Sequence, residues 1–231
     1  MVAEFKIKNL EFISLFSYTP RPFSVDPIIL ELMKNTKSWT IWLKQDRMVS
    51  PKGLSRYLPM SRYVTEVLYN SIDDNPYLKV FDKRTVLIPV PRSNPIPTDG
   101  LWVPKRIADE MVVKGLGREV ISNLKRAKSI NKSSQSIPSE RPLPSEHYDS
   151  LSVDKIVTDL DEVILIDDVI TRGSTLLAAA NKLIDAFPKI KIRSFAAIRT
   201  ISNPSEFRNW LDPVKGAITL RSGGVDTFRN P

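Results

Sequence analysis

Two adjacent acids followed by a turn rich in hydroxyl side chains carry the clearest chemistry in this chain. They lie in residues 162–175, which read EVILIDDVITRGST. Asp167 and Asp168 can accept hydrogen bonds from sugar hydroxyls, and a divalent cation would offset the charge of nearby phosphates. The turn offers backbone amides and side-chain donors to a phosphate, from Thr171, Arg172, Gly173, Ser174 and Thr175. The combination predicts a site for a phosphorylated ribose.

The apolar pattern around this stretch places it where a strand becomes a helix. Residues 163–166 form an apolar run typical of a buried strand, and residues 176–187 repeat apolar side chains at helical spacing. Ligands gather at this carboxyl edge in open parallel sheets. Gly173 lets the backbone pass close to a phosphate, so any side chain there is predicted to displace the ligand. The alternative is a buried strand whose acids only cap the next helix.

The sequence VILIDDVITRGST resembles the phosphoribosyl-pyrophosphate (PRPP) motif of type I phosphoribosyltransferases. The shared features are an apolar strand, paired acids and a Thr/Gly/Ser/Thr phosphate loop. One departure is visible, because many members of that family have a second threonine where this chain has Arg172. The change keeps the backbone of the loop and puts a cation beside the site.

A second buried strand is predicted over residues 85–91, TVLIPVP, and a polar loop follows it. In a parallel sheet this loop would leave its strand at the same edge as the acid pair. Arg92 and Ser93, with Asn94, would then lie near the ligand and could hold pyrophosphate. Taken without the downstream motif, the loop favours an ordinary proline-stiffened turn.

A polar tract rich in serine and proline, residues 125–150, follows a helix predicted over 103–113 and a short strand over 119–124. Loops this long are usually disordered or functional. A mobile lid would keep water from a reactive sugar cation and could bring Lys125 and Arg126 over pyrophosphate. Three further cations of the tract could join them, Lys128, Lys132 and Arg141.

The resemblance then widens to the ComF family of phosphoribosyltransferases, over roughly residues 40–200. IPVP at 88–91, LKRAKS at 124–129, Gln135 and the pair Glu140–Arg141 occur in the order seen in that family. ComF proteins are associated with competence and DNA uptake. Two departures weaken the transfer of that role: the usual cysteine-rich zinc segment is missing, and HYDS at 147–150 stands where an Asn-containing stretch is expected.

The resemblance implies a role for each residue of the predicted site. It implies PRPP binding by Asp167, Asp168, Val169, Thr171, Arg172, Gly173, Ser174 and Thr175, and pyrophosphate binding by Arg92, Ser93, Lys125 and Arg126. Asp167, Asp168 and Arg92 would be the catalytic residues, Mg²⁺ would be bound mainly through PRPP, and no separate metal-ligand set is predicted. No residue is an obvious general base.

The composition of the chain disfavours several kinds of site and classes of protein. The chain has 231 residues, no cysteine, one histidine (His147) and a net charge of +8. A disulfide framework, a histidine metal site and a Ser-His-Asp triad are therefore disfavoured. Without a long apolar run or a signal pattern at the start, the prediction is a cytoplasmic protein that does not bind membranes. A basic excess over residues 114–132 fits a pyrophosphate surface, a nucleic-acid surface or a solvated face.

The predicted fold is a three-layer α/β domain of the type I phosphoribosyltransferase kind, with a mostly parallel sheet. Its predicted parts are an amino-terminal hood or extension (1–84), a PRPP-binding core (85–200) with a flexible loop at about 125–150, and a carboxy-terminal extension (201–231). Outside the core, the patterns predict a strand over 5–18, helices over 28–33 and 61–72, a helix-like piece within 199–212 and an edge hairpin over 216–231.

Three functions fit these patterns. The preferred one is transfer of a phosphoribosyl group to or from an unidentified nucleobase. The second is a non-catalytic module that senses PRPP or a nucleotide, since fold and phosphate loop do not guarantee turnover. The third is a protein associated with nucleic acid, in DNA uptake or mobile-element defence. A homodimer is also compatible with the sequence.

Overall fold

The computed structural model describes residues 4–50, 56–95, 97, 100–130, 142–154, 160–221 and 223–230. Its strands are β1 (Asn9–Tyr18), β2 (Met48–Val49), β3 (Leu58–Pro59), β4 (Val86–Pro89), β5 (Glu119–Val120), β6 (Leu124–Arg126), β7 (Leu151–Val153), β8 (Glu162–Ile170), β9 (Lys191–Thr200), β10 (Leu211–Leu220) and β11 (Thr227–Asn230). Its helices are α1 (Pro27–Lys44), α2 (Met60–Ser71), α3 (Val103–Val113), α4 (Pro144–Asp149) and α5 (Ser174–Ala186).

A seven-stranded, mostly parallel sheet forms the centre of the molecule. Its order is β11-β10-β1-β9-β8-β4-β5, and the five strands from β1 to β5 in this order run parallel. The last two strands, β10 and β11, pair antiparallel and close one side. The predicted α/β class and mostly parallel sheet are therefore confirmed.

Helices cover both faces of the sheet because its inner strands bury side chains on both sides. In β8, Val163 and Leu165 pack in the core under α5, while Ile164 and Ile166 pack in the core under α1, α2 and α3. This alternation follows from the period of two along a strand. It fixes three layers, with the carboxyl ends of β4 and β8 at one edge.

Helix α1 is much longer than the sequence pattern predicts. Asp26 caps it, because its carboxylate accepts hydrogen bonds from the amides of Ile28 and Ile29 at 2.8 and 3.3 Å. The prediction of a helix ending at residue 33 is wrong. Thr36 and Thr40 in the extension are buried, and their hydroxyls donate back to carbonyls one turn earlier.

Strand β1 is an interior strand, paired with β9 on one side and β10 on the other. The segment assigned to an amino-terminal hood or extension thus contributes to the central sheet itself. Residues 199–212 contain only a three-residue 3₁₀ turn, Pro204–Glu206, instead of the expected helix-like piece. The edge hairpin of the tail is present as β10 and β11, with positive φ angles at Gly223 and Gly224.

Both ends of the tract 125–150 contain regular secondary structure that the sequence did not predict. Lys125 and Arg126 belong to β6, which pairs with β7, and α4 follows at 144. Gln135, Lys132 and the pair Glu140–Arg141 lie outside the described residues. Within the described part of the chain, no helix has the length and apolar character needed to cross a membrane.

Candidate functional site

A cavity of about 610 Å³ opens at the carboxyl edge of the parallel strands. It lies beyond the ends of β4 and β8 and at the start of α5, where the strand-to-helix pattern predicts a ligand. The predicted site residues that line it are Arg92, Ser93, Arg126, Asp167, Asp168, Val169, Thr171, Arg172, Gly173, Ser174 and Thr175. The fold therefore brings both predicted loops to one place.

The two acids lie on β8 itself, which continues to Ile170 instead of ending at 166. An oxygen of Asp167 accepts from the Asp168 amide at 2.9 Å, and one of Asp168 accepts from the Val169 amide at 2.9 Å. Both acids are half-buried. Burial, reinforced by the charge of Asp168, raises the pKa of Asp167 well above its usual value. Both carboxylates line the cavity and have lone pairs that can accept bonds from a ligand.

The turn after β8 presents the uncapped end of a helix to the cavity. Gly173 has φ +88°, a left-handed conformation, and α5 begins at the next residue without a side-chain cap. The first amides of a helix have no partner within it and carry the positive end of its dipole. This end of α5 can therefore bind a phosphate group through backbone N–H donors.

Each hydroxyl of the turn contacts a neighbouring polar group. The Thr171 and Thr200 hydroxyls are 3.3 Å apart, and those of Ser174 and Thr227 are 2.8 Å apart. The Thr175 hydroxyl lies 3.3 Å from Nδ1 of His147. Because a hydroxyl has one donor and two acceptor positions, these contacts orient the turn and still allow donation to a ligand.

Arg126 has a different position from the one expected of a mobile lid residue. Its side chain is buried, and its guanidinium donates to the Arg92 carbonyl at 2.8 Å, to the His147 carbonyl at 3.4 Å and to the Ser150 hydroxyl. Burial lowers the pKa of Arg126 to about 10, with the charge of Asp167 opposing the shift, so it stays protonated at neutral pH. Arg126 thus ties the Arg92 loop to α4 from within the wall of the cavity.

Lys125, the other predicted pyrophosphate ligand of this strand, lies outside the cavity. Successive side chains of a strand point to opposite sides. Arg126 is therefore directed inward, while Lys125 forms an exposed ion pair with Asp154. The assignment of Lys125 to pyrophosphate is corrected on this geometry.

The Arg92 loop is held by backbone contacts on both sides. Arg92 is exposed, and its Nη1 donates to the Leu101 carbonyl at 2.9 Å. The Ser93 carbonyl accepts from the Ile130 amide at 3.0 Å. The guanidinium therefore lines the cavity from a position fixed near the start of α3.

The sequence patterns did not identify His147 as part of this site, although it is the only histidine in the chain. Its side chain is 3% exposed, it lines the cavity, and Nε2 has no partner among the described residues. Burial, and then the charge of Arg126, lower the pKa of His147 to about 4. The ring is therefore neutral at pH 7. Tyr18, Lys44 and Asp226 also line the cavity and come from segments in which no chemistry was predicted.

The low pKa of His147 predicts a specific loss of stability in acid. The unfolded chain takes up this proton near pH 6.5 and the folded chain only near pH 4. Between these values the unfolded state binds more protons, so the free energy of unfolding falls by roughly 3 kcal/mol as the pH drops through this window. We expect His147→Asn to remove most of this dependence in denaturant titrations at pH 4 to 7.

The pKa of His147 in the folded protein can also be measured directly by NMR. Because the chain has one imidazole, its ring resonances need no assignment by mutagenesis. An apparent pKa near 6.5 in the folded protein would show that the ring is not buried as described.

Comparisons with known proteins do not assign this chain to a family. No protein-family model matches it, and no curated protein matches it. Among the described residues there is also no cluster of three or more His, Cys, Asp or Glu side chains suited to a metal ion. The function is therefore argued from the residues of the cavity.

Proposed function

We propose that this protein binds PRPP together with Mg²⁺ and transfers its phosphoribosyl group to or from a nucleobase. One observation carries the proposal. The adjacent acids Asp167 and Asp168 and the uncapped start of α5 face one cavity of about 610 Å³. A pair of carboxylate acceptors beside a phosphate-binding helix end is suited to a ribose that carries a 5′-phosphate.

Each part of PRPP then has a partner of matching chemistry. The 5′-phosphate would bind the turn 171–175, and the ribose hydroxyls would donate to Asp167 and Asp168. Arg92 would bind the pyrophosphate, since a guanidinium makes paired, charge-assisted bonds to phosphate oxygens. Arg126 would act as a positioning residue, because its guanidinium donates to the Arg92 carbonyl. Departure of pyrophosphate leaves a positively charged sugar, which half-buried carboxylates stabilise.

The donor set fits a Mg²⁺ ion that is carried by the substrate. Mg²⁺ usually keeps several waters and binds one or two carboxylates together with substrate phosphates. Asp167 and Asp168 supply carboxylates of that number and type in the wall of the cavity. When bound, the ion would neutralise charge on the pyrophosphate leaving group. Arg92 would hold the same group from the opposite loop.

The charges of the basic stretch 114–132 favour this proposal over a nucleic-acid surface. Most of its described cations are engaged within the protein: Lys114 with Glu66 at 2.8 Å, Arg118 with Glu119 at 2.7 Å, Lys125 with Asp154, and Arg126 in the buried contacts given above. Nucleic acids bind strongly where several cations face the phosphate backbone together. Engaged cations contribute less to such a surface.

Hydrogen exchange tests the proposal. We expect PRPP with MgCl₂ to protect the amides of 171–176 and the peptides that span 125–150, since ligand contacts reduce local opening of the segments that they bind. Double-stranded DNA at low salt is expected to leave both unchanged. Protection by DNA that disappears as salt rises, without protection by PRPP, would contradict the proposal.

A second measurement separates an enzyme from a sensor. The protein, PRPP and MgCl₂ are incubated with a panel of nucleobases, and pyrophosphate release is followed. Release with one base identifies the acceptor. Tight PRPP binding without release for any base would favour the sensing module.

A further inference from the structure

Strand β11 and Asp226, the residue before it, contact three of the five residues of the turn 171–175. The Thr227 hydroxyl meets that of Ser174 at 2.8 Å, and Asp226 pairs with Arg172 at 3.0 Å. Arg229 donates from Nε to the Thr171 carbonyl at 3.0 Å and from Nη2 to the Thr200 carbonyl. The tail of the chain therefore forms a wall of the cavity.

Asp226 brings a third carboxylate into the cavity, beside the turn 171–175 that is suited to anions. Both it and Arg172 line the cavity, with side-chain exposures of 28% and 37%. Both Asp226 oxygens accept from the same nitrogen, Nη1 of Arg172, at 3.1 and 3.0 Å. Among the described residues, Arg172 makes no side-chain bond through Nε or Nη2. The edge of the guanidinium formed by Nε and Nη2 thus remains for a ligand.

Two roles are compatible with such a pair. The carboxylate either withholds the guanidinium from ligands or fixes it in place for them. The anchoring of β11 favours the second role. One Asp226 oxygen also accepts from the Thr227 amide at 2.8 Å, and Arg229 fixes the strand against the loop and the end of β9. Asp226 is therefore held on a fixed wall.

We propose that Arg172 binds phosphate through its side chain and that Asp226 is its positioning residue. Arg172 donates to the phosphate through its free edge, while Asp226 holds the opposite side of the guanidinium. The inference rests on the proposed role of 171–175 in binding phosphate. It explains why a loop position outside the helix end carries a long cation, whose flexibility would otherwise reduce its contribution to binding.

The test uses Asp226→Asn, Arg172→Gln and the double variant, with inorganic phosphate and ribose 5-phosphate as probes in calorimetry. We expect Asp226→Asn to weaken binding of both probes roughly threefold to tenfold, because the free arginine must then be ordered by the ligand. In the Arg172→Gln background, the same change should have no effect. This non-additivity distinguishes positioning from a general structural loss.

Arg221→Gln is the matched control. Arg221 is an exposed cation of the same hairpin that lies over the Phe228 ring, outside the cavity, so its loss should leave phosphate affinity unchanged. Tighter or equal binding by Asp226→Asn, an undiminished loss in the Arg172→Gln background, or no binding of either probe by the unmodified protein would overturn the inference. Phosphate binding that depends on Arg172 and Asp226, without any binding of PRPP, would remove the proposed function and leave this inference standing.

Discussion

Replacing Asp168 with asparagine is expected to weaken PRPP binding about tenfold to a hundredfold in calorimetry with MgCl₂. The change removes charge-assisted bonds from the ribose hydroxyls, which contribute roughly 1.5 to 3 kcal/mol. Asp167→Asn should also weaken PRPP binding, because the Asp167 carboxylate lines the same cavity.

Asp109→Asn is the control for this pair of variants. Asp109 forms an exposed ion pair with Lys105 on α3 and does not line the cavity. Exposed pairs of this kind contribute little to stability. If Asp168→Asn bound PRPP as tightly as the Asp109→Asn control, the acids would not face the sugar.

Replacing Gly173 with alanine is expected to lower the free energy of unfolding by roughly 2 to 4 kcal/mol, through backbone strain and steric overlap together. The residue has φ +88°, and a Cβ atom would lie 2.7 Å from two side-chain carbons of Ile218 on β10. The sequence predicted that a side chain at this position costs the ligand while the protein remains folded. The packed Ile218 adds a cost to folding that no ligand is needed to detect.

Gly224→Ala separates the two contributions. Gly224 also has a positive φ, +70°, but no atom lies within 4 Å of the Cβ position. Its replacement should therefore cost only the backbone strain, roughly 1 to 2 kcal/mol. Equal losses for the two variants in urea titrations would show that Ile218 yields without cost.

Local patterns in the sequence predicted the parts of the site that lie close together in the chain. The strand-to-helix transition around Asp167 and Gly173 and the helix over 103–113 are found at or near the expected residues. These elements have strong apolar periodicity, which is decided by neighbouring residues. The type I phosphoribosyltransferase assignment remains a prediction.

The parts of the site that the sequence did not predict depend on contacts between distant segments of the chain. Nothing in the local pattern of the tail shows that Asp226 meets Arg172, a pair 54 positions apart. His147 reaches Thr175 only because α4 packs against α5, and burial of a histidine cannot be read from its neighbours in sequence. Lys125 and Arg126 were grouped as two lid cations, yet their alternation in β6 separates them. The sequence pattern did not predict strand β6, and without it the opposite directions of the two side chains could not be predicted.

The interior position of β1 has a consequence for how the chain folds as it is synthesised. This strand is synthesised well before both of its partners, β9 and β10. Ser194, for example, donates to the carbonyl of Glu11 across 183 positions. Loop closure over such distances is slow, and domains with many non-local pairings fold slowly. An apolar strand such as β1 stays unpaired until β9 and β10 have been synthesised, so nascent chains are expected to depend on chaperones more than a domain of local hairpins does.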